Sequence, residues 1–229
     1  IEMLKKEQNK MVNYLFSLFQ DPNKGFDPVP YNYAVNYFEE AYNGKRFNEK
    51  IIKKLNQFIK LKNKDVLDLG AGPGQYTKYF VEQGANTHYH DISKNYITLF
   101  KDTFPELEFT YSLGYLEHFE GSYDLIFNNV CFNYGMNDKK LVSKIAKGLN
   151  SNGIYFGILP NENMYRQKLK NKLFLLIQFY INDFFRIKIG HPYTSKRKIK
   201  NLFLKSHYEI LALEDFDNHT LVVLKNKKI

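Results

Sequence analysis

Apolar residues recur along this chain at two different periods. Met11, Val12, Leu15, Phe16 and Phe19 fall at helical spacing and predict an amphipathic helix near the N-terminus. Residues 21–30 hold three prolines and a glycine and predict a loop. Two further helices are expected over residues 33–42 and 49–59, with Gly44 between them. The pattern then changes to short apolar runs. Strands are predicted at 65–69, 87–90, 107–111, 123–128 and 154–159. Leu125, Ile126 and Phe127 form the continuous run of a strand buried on both faces. Helices are expected at 75–83, 141–149 and 196–203, the second stopped by residues 150–153.

Strands that alternate with helices predict a parallel sheet with right-handed crossovers. The C-terminal end reads differently. Residues 208–213 and 221–225 are strand-like and are joined by a short polar turn at 217–219, which predicts a hairpin. The expected fold is therefore α/β: a Rossmann-like, seven-stranded sheet, mostly parallel, with a C-terminal antiparallel hairpin and helices on both faces. Residues 1–60 are expected to form a helical cap and 61–229 the core, with 161–200 as an insertion forming a lid.

Residues Val66 to Gly74 read Val-Leu-Asp-Leu-Gly-Ala-Gly-Pro-Gly. The run predicts a strand, a tight turn and a helix. Glycines let a backbone turn at positive φ and let a ligand approach the main chain. Amides at the start of the following helix would face that ligand. The spacing is G-x-G-x-G rather than the dinucleotide pattern G-x-G-x-x-G. Asp68, two residues before Gly70, would repel a pyrophosphate and welcome a cationic ligand. Asp91, 17 residues after Gly74, ends the second strand and has the geometry to accept two ribose hydroxyls.

With these residues the segment resembles motif I of the class I S-adenosylmethionine-dependent methyltransferases. The resemblance implies S-adenosylmethionine as cofactor and S-adenosylhomocysteine as product. It implies cofactor contacts at Asp68, Gly70, Ala71, Gly72, Gly74, Tyr76, Asp91, Ile92 and Asn129. Relatives often carry Gly-Asp-Ala after the third strand, where this chain has Ser112 and Leu113; the Ser112 hydroxyl and Leu113 backbone are then expected at the adenine, with Glu117 and His118 as alternatives. Arg46 is expected to fork onto the methionine carboxylate, and Tyr33, Tyr37 and Tyr42 to wall the methionine end or else pack the cap. Asn133 aligns with a substrate-side position. No Asn-Pro-Pro-Tyr box follows the fourth strand, which argues against methylation of a base amine.

The bulk properties narrow the reading. At 229 residues one core with decorations is expected. A net charge of +9 invites nucleic acid or an anionic membrane. The abundance of Lys, Asn, Tyr, Phe and Ile, with no Trp, also fits the composition of an AT-rich genome. Cys131 is the one cysteine, so no internal disulfide forms, which fits a reducing, cytoplasmic setting. No apolar run is long enough for a bilayer, and no signal-peptide pattern opens the chain. A chain that starts at Ile1 is expected to be trimmed or part of a longer polypeptide.

The substrate side is thinner in signal. A hydroxyl acceptor usually wants a base of near-neutral pKa, and His191, His118 and His219 are the candidates. His191 and Tyr193, just before the last crossover helix, are expected to contact substrate, with Ser195 or Thr194 capping that helix. Residues 173–185 form an apolar stretch expected to be lid core, a dimer face or a membrane-surface patch. No metal-ligand cluster is visible. The leading expectation is methyl transfer to a small-molecule or glycan-type acceptor, at oxygen. An RNA methyltransferase and a non-catalytic cofactor-binding subunit remain as alternatives, and a dehydrogenase as a more distant one.

Overall fold

The computed structural model describes residues 27–45, 47–135, 137–161, 195–204 and 208–226. The predicted helix at 11–19, Arg46, His191, Tyr193 and the apolar stretch 173–185 lie outside the described residues.

Two helices precede the sheet, α1 (Tyr31–Glu40) and α2 (Glu49–Leu55), joined by a wide turn in which Gly44 adopts φ +76°. The core then runs β1 (Asp65–Leu69), α3 (Gln75–Glu82), β2 (Asn86–Asp91), α4 (Lys94–Thr103), β3 (Thr110–Leu113) and β4 (Tyr123–Asn129). It continues with α5 (Asp138–Lys147), β5 (Leu149–Pro160), α6 (Lys196–Leu204), β6 (Tyr208–Phe216) and β7 (His219–Asn226). The seven strands form one sheet in the order β3-β2-β1-β4-β5-β7-β6. Only β7 runs against its neighbours. The expected α/β fold with a closing hairpin is the observed one. Strand order reverses between β1 and β4, and ligands of open α/β sheets bind at that crevice, beyond the carboxyl ends of the strands.

The central strands β1, β4, β5 and β7 present alternate residues to two apolar layers. Leu67, Leu69, Ile126, Tyr155 and Val222 pack with Leu141 and Ile145 of α5 and Ile199 and Phe203 of α6. Val66, Leu125, Phe127, Phe156 and Val223 pack with Ile51, Ile52 and Leu55 of α2 and with Tyr76 and Phe80 of α3. Helices therefore cover both faces, which is why the central strands read as unbroken apolar runs.

Several boundaries differ from expectation. The third strand is Thr110–Leu113, not 107–111. Leu107 and Phe109 pack instead against Tyr89, Ile97 and Phe100, so their apolarity serves a helix–sheet contact. The helix expected at 141–149 starts at Asp138, where the Asn137 side chain accepts from the amides of Lys139 and Lys140, both at 3.1 Å. It ends at Lys147, and Leu149 already pairs with Tyr123 as part of β5. Residues 150–153 are an irregularity inside that strand, not a stop before it. Helix α2 ends at Leu55, short of residue 59. Helix α4 was not anticipated, although Ser93, whose hydroxyl accepts from the Tyr96 amide at 3.3 Å, is the cap that announces it.

Candidate active site

The glycine turn after β1 is held through both its amides and its carbonyls. The amides of Gly70 and Ala71 both donate to the His90 carbonyl, at 2.8 and 3.1 Å, which ties the turn to β2. The Gly72 amide donates to Asp91 Oδ2 at 2.9 Å. The Tyr89 hydroxyl donates to the Gly72 carbonyl, and Tyr42, from the wide turn after α1, donates to the Pro73 carbonyl at 3.0 Å. Gly70, Gly72 and Gly74 all have positive φ, at +77°, +54° and +81°. Their surroundings differ. A Cβ on Gly70 would lie 2.6 Å from Cys131 Cβ, and one on Gly74 would lie 2.5 Å from the Phe100 ring. A Cβ on Gly72 would meet nothing within 4 Å, so this glycine fronts open space.

Two buried carboxylates flank the turn. Asp68 accepts from the Thr77 hydroxyl of α3 at 2.7 Å. Asp91 accepts from the amides of Gly72 and of Ser93, the latter at 2.8 Å. Burial pushes Asp68 up to about 7, partly opposed by the Thr77 hydrogen bond and reinforced by Asp91. Burial likewise pushes Asp91 up to about 6, against the lowering effect of its amide partners. Two buried acids with no cation near them among the described residues favour a ligand that brings positive charge and hydroxyl donors. An anion such as pyrophosphate would meet repulsion here. The open space at Gly72 and the acids on either side fit an adenosyl sulfonium carrying an ammonium group.

Beyond β4, Asn128 donates to the Leu69 carbonyl at 2.6 Å and the Cys131 thiol to the Gly70 carbonyl at 3.4 Å, so this loop closes against the turn. Burial raises the Cys131 thiol, and Asp91 and Asp68 raise it further; it is neutral. Asn129 ends β4, and its Oδ1 is buried without a hydrogen-bond partner among the described residues. That oxygen can accept from a donor on a bound molecule. Asn133 is buried and donates to the Pro160 carbonyl at 3.2 Å, fastening the loop to the end of β5.

The Ser112 hydroxyl does not face Asp91. Residues 112 and 90 share one face of the sheet, while Leu113 pairs with Asp91 on the other. Ser112 Oγ lies 2.8 Å from His88 Nε2 and 2.7 Å from His90 Nδ1. The Tyr115 carbonyl, 2.9 Å from His90 Nε2, can only accept, so neutral His90 carries its hydrogen there and takes the Ser112 hydroxyl hydrogen at Nδ1. Ser112 then accepts from His88, whose Nδ1 accepts from Thr110 at 2.7 Å. Burial lowers both rings, His90 to about 4, which fits the neutral pair. Sequence alone placed the hydroxyl at the adenine; strand alternation turns it into a β2–β3 tie. The Leu113 backbone remains beside Asp91.

Of the candidate bases, His118 is exposed on the turn after β3. His219 opens β7 opposite Pro160, at the carboxyl edge of the parallel strands, and burial lowers its pKa. Tyr76 lies in the core, where its hydroxyl accepts from the Asn48 amide at 3.3 Å, and its ring packs on Phe47 and Phe127. Ile92 is half-buried just past Asp91. Tyr37 packs on Tyr96 of α4, and Tyr33 on Tyr37. Thr77, Tyr89 and Asn128 hold the turn and its acids and were not singled out from sequence. Thr77 had a signal: it lies one helical turn past Gly74, facing the strand that carries Asp68.

Comparison with known proteins bears on the family and the fold. Residues 67–157 match the family described as methyltransferase domain. A curated relative, the ribosomal RNA small subunit methyltransferase A of Mycoplasma mobile, is 24% identical over 164 residues. The match takes in 72% of this chain, and the chain spans 58% of that relative's length. An S-adenosylmethionine-dependent methyltransferase from Mesorhizobium loti superposes with a TM-score of 0.61 at 15% identity, covering 76% of this chain and 96% of the other. The magnesium protoporphyrin IX methyltransferase of Synechocystis, solved with S-adenosylhomocysteine, gives 0.58 at 16% identity, covering 83% of each chain. At these identities the solved structures speak to the fold.

Proposed function

We propose that this chain, whose core is a class I S-adenosylmethionine-dependent methyltransferase domain, transfers a methyl group to a small-molecule or glycan-type acceptor, at an oxygen. The observation that carries the cofactor half is the pair of buried acids, Asp68 and Asp91, on either side of the open turn at Gly72. Asp91 would take the ribose hydroxyls, and Asp68 would favour the cationic methionine end. When bound, the cofactor supplies a methyl on a sulfonium, which the acceptor oxygen gains as the carbon–sulfur bond breaks and the hydroxyl proton leaves. The chain's own task is positioning, and placing two reactants in line contributes several kcal/mol, up to roughly 7–11.

What supports a hydroxyl acceptor is Asn129 at the end of β4, whose buried oxygen has no partner among the described residues and can accept from an O–H donor. The lysines also bear on the acceptor. Lys50, Lys54, Lys64, Lys78 and Lys196 each meet a carboxylate. The net charge of +9 already counts these carboxylates, so the remaining basic excess lies outside these pairs. A second reading, RNA methylation, is favoured by the name of the Mycoplasma mobile relative. Incubating the protein with methyl-labelled cofactor and a fractionated cell extract separates the two. Label is expected in the low-molecular-weight or glycan fraction. Label confined to RNA would replace the first reading with the second, and label nowhere would leave a cofactor-binding subunit.

The raised acids also predict a pH dependence. Each holds its proton more tightly in the folded chain than in the unfolded one, where carboxyl values are near ~3.9. Their contribution to stability is therefore fully present below about pH 4 and is lost as pH rises through about 6 and 7. S-adenosylmethionine, by favouring the ionised acids, is expected to stabilise the protein more at about pH 8 than at about pH 5.5. Thermal melting with and without cofactor at the two pH values measures this. An equal or smaller shift at the higher pH would contradict it.

A further inference from the structure

The segment leading into α1 carries an acid that the glycine turn does not need. Asp27 Oδ1 accepts from the Val29 amide at 2.8 Å and from the Ser93 hydroxyl at 2.9 Å. Its Oδ2 accepts from the Asn95 amide at 2.6 Å, and the Asn95 side chain donates back to the Val29 carbonyl at 2.7 Å. Asp27 thus grips the first turn of α4 from 66 residues away. A helix start leaves amides without partners, and Ser93 already caps one of them, that of Tyr96.

The grip continues into the site. Ser93, held through its hydroxyl by Asp27, donates its amide to Asp91 Oδ1, while Asp91 Oδ2 takes the Gly72 amide. One run of hydrogen bonds therefore leads from Asp27 through Ser93 and Asp91 to the glycine turn. We infer that Asp27 is a positioning residue for the cofactor: it fixes the turn after β2 so that the Asp91 carboxylate presents itself to the ribose hydroxyls. This rests on the cofactor reading above. Asp27 acts on Asp91 by charge as well, since its carboxylate is among the groups that push Asp91 up. Among the described residues, the other titratable groups that act on Asp91 are Asp68 from β1, Tyr89 from β2, Tyr96 from α4 and Cys131 from the loop after β4.

Titration calorimetry with S-adenosylhomocysteine, from about pH 5 to about pH 8, tests the inference on four proteins. These are the wild type, Asp27→Ala, Asp27→Asn and Ser195→Ala. Ser195 caps the first turn of α6 through the Lys198 amide and serves as a remote comparison. Asp27→Ala is expected to bind about tenfold more weakly at neutral pH. Asp27→Asn keeps one acceptor and loses the charge, so its affinity at about pH 8 should stay near wild type while the pH at which affinity falls away moves lower. Ser195→Ala should bind like wild type. Wild-type affinity and an unshifted pH profile in both Asp27 variants would overturn the inference. So would a loss in Ser195→Ala equal to that in Asp27→Ala, which would mark general destabilisation. If Asp27→Ala does not fold, the pH profile of Asp27→Asn decides alone. A wild type that binds no S-adenosylhomocysteine would bring down the cofactor reading itself.

Discussion

Replacing Gly74 by alanine is expected to destabilise the folded chain by about 2–5 kcal/mol. Two costs add. Gly74 caps α3 at φ +81°, a left-handed conformation that costs an L-residue roughly 1–2 kcal/mol. The new Cβ would also stand 2.5 Å from Phe100 Cδ2, closer than any real contact. Phe100 cannot step aside easily. It is fully buried and stacks on Tyr89, with Phe104 and Phe109 against its other sides. Forcing extra volume into such a core costs about 1–3 kcal/mol. Gly72→Ala is the informative comparison, because a Cβ there meets open space. It should carry only the conformational cost. Urea denaturation of the two variants measures the difference. Equal midpoints would show that Phe100 does not confine the turn as described.

Replacing Asp91 by alanine is expected to weaken S-adenosylhomocysteine binding by about 1–3 kcal/mol, roughly five- to 150-fold. The side chain is the proposed partner of the ribose hydroxyls. It is also the anchor of the Gly72 and Ser93 amides, so its loss frees the turn as well as removing the contact. Stability should suffer less than affinity. Removing a buried carboxyl relieves its desolvation and its repulsion with Asp68, which offsets part of the cost of two unpaired amides. Calorimetry with a parallel melting curve separates the two effects. Unchanged affinity in a folded variant would remove Asp91 from the ribose.

Much of this was legible in the chain. The run Val66 to Gly74 specifies its own strand, turn and helix, because glycine spacing and strand period act within a few residues. Asp65–Leu69 is the strand as read, and the hairpin of β6 and β7 falls where the polar turn places it. The third strand was misread because Leu107 and Phe109 look like strand residues by apolarity, whereas their burial comes from α4. Nothing local distinguishes the two.

What sequence by itself determined is the order of the strands, the sheet type and the glycine turn with its two acids. Each of these depends on backbone preferences and apolar periods that operate over about ten residues. Tertiary structure alone decided which way the polar groups around the turn point. Ser112 turned to His88 and His90 because the β2–β3 register puts residues 90 and 112 on one face. Asp27 reached Ser93 because the segment before α1 lies across the start of α4. Side-chain direction at a strand end and contacts between distant segments depend on register and packing, and neither is written in the spacing of the residues that make them.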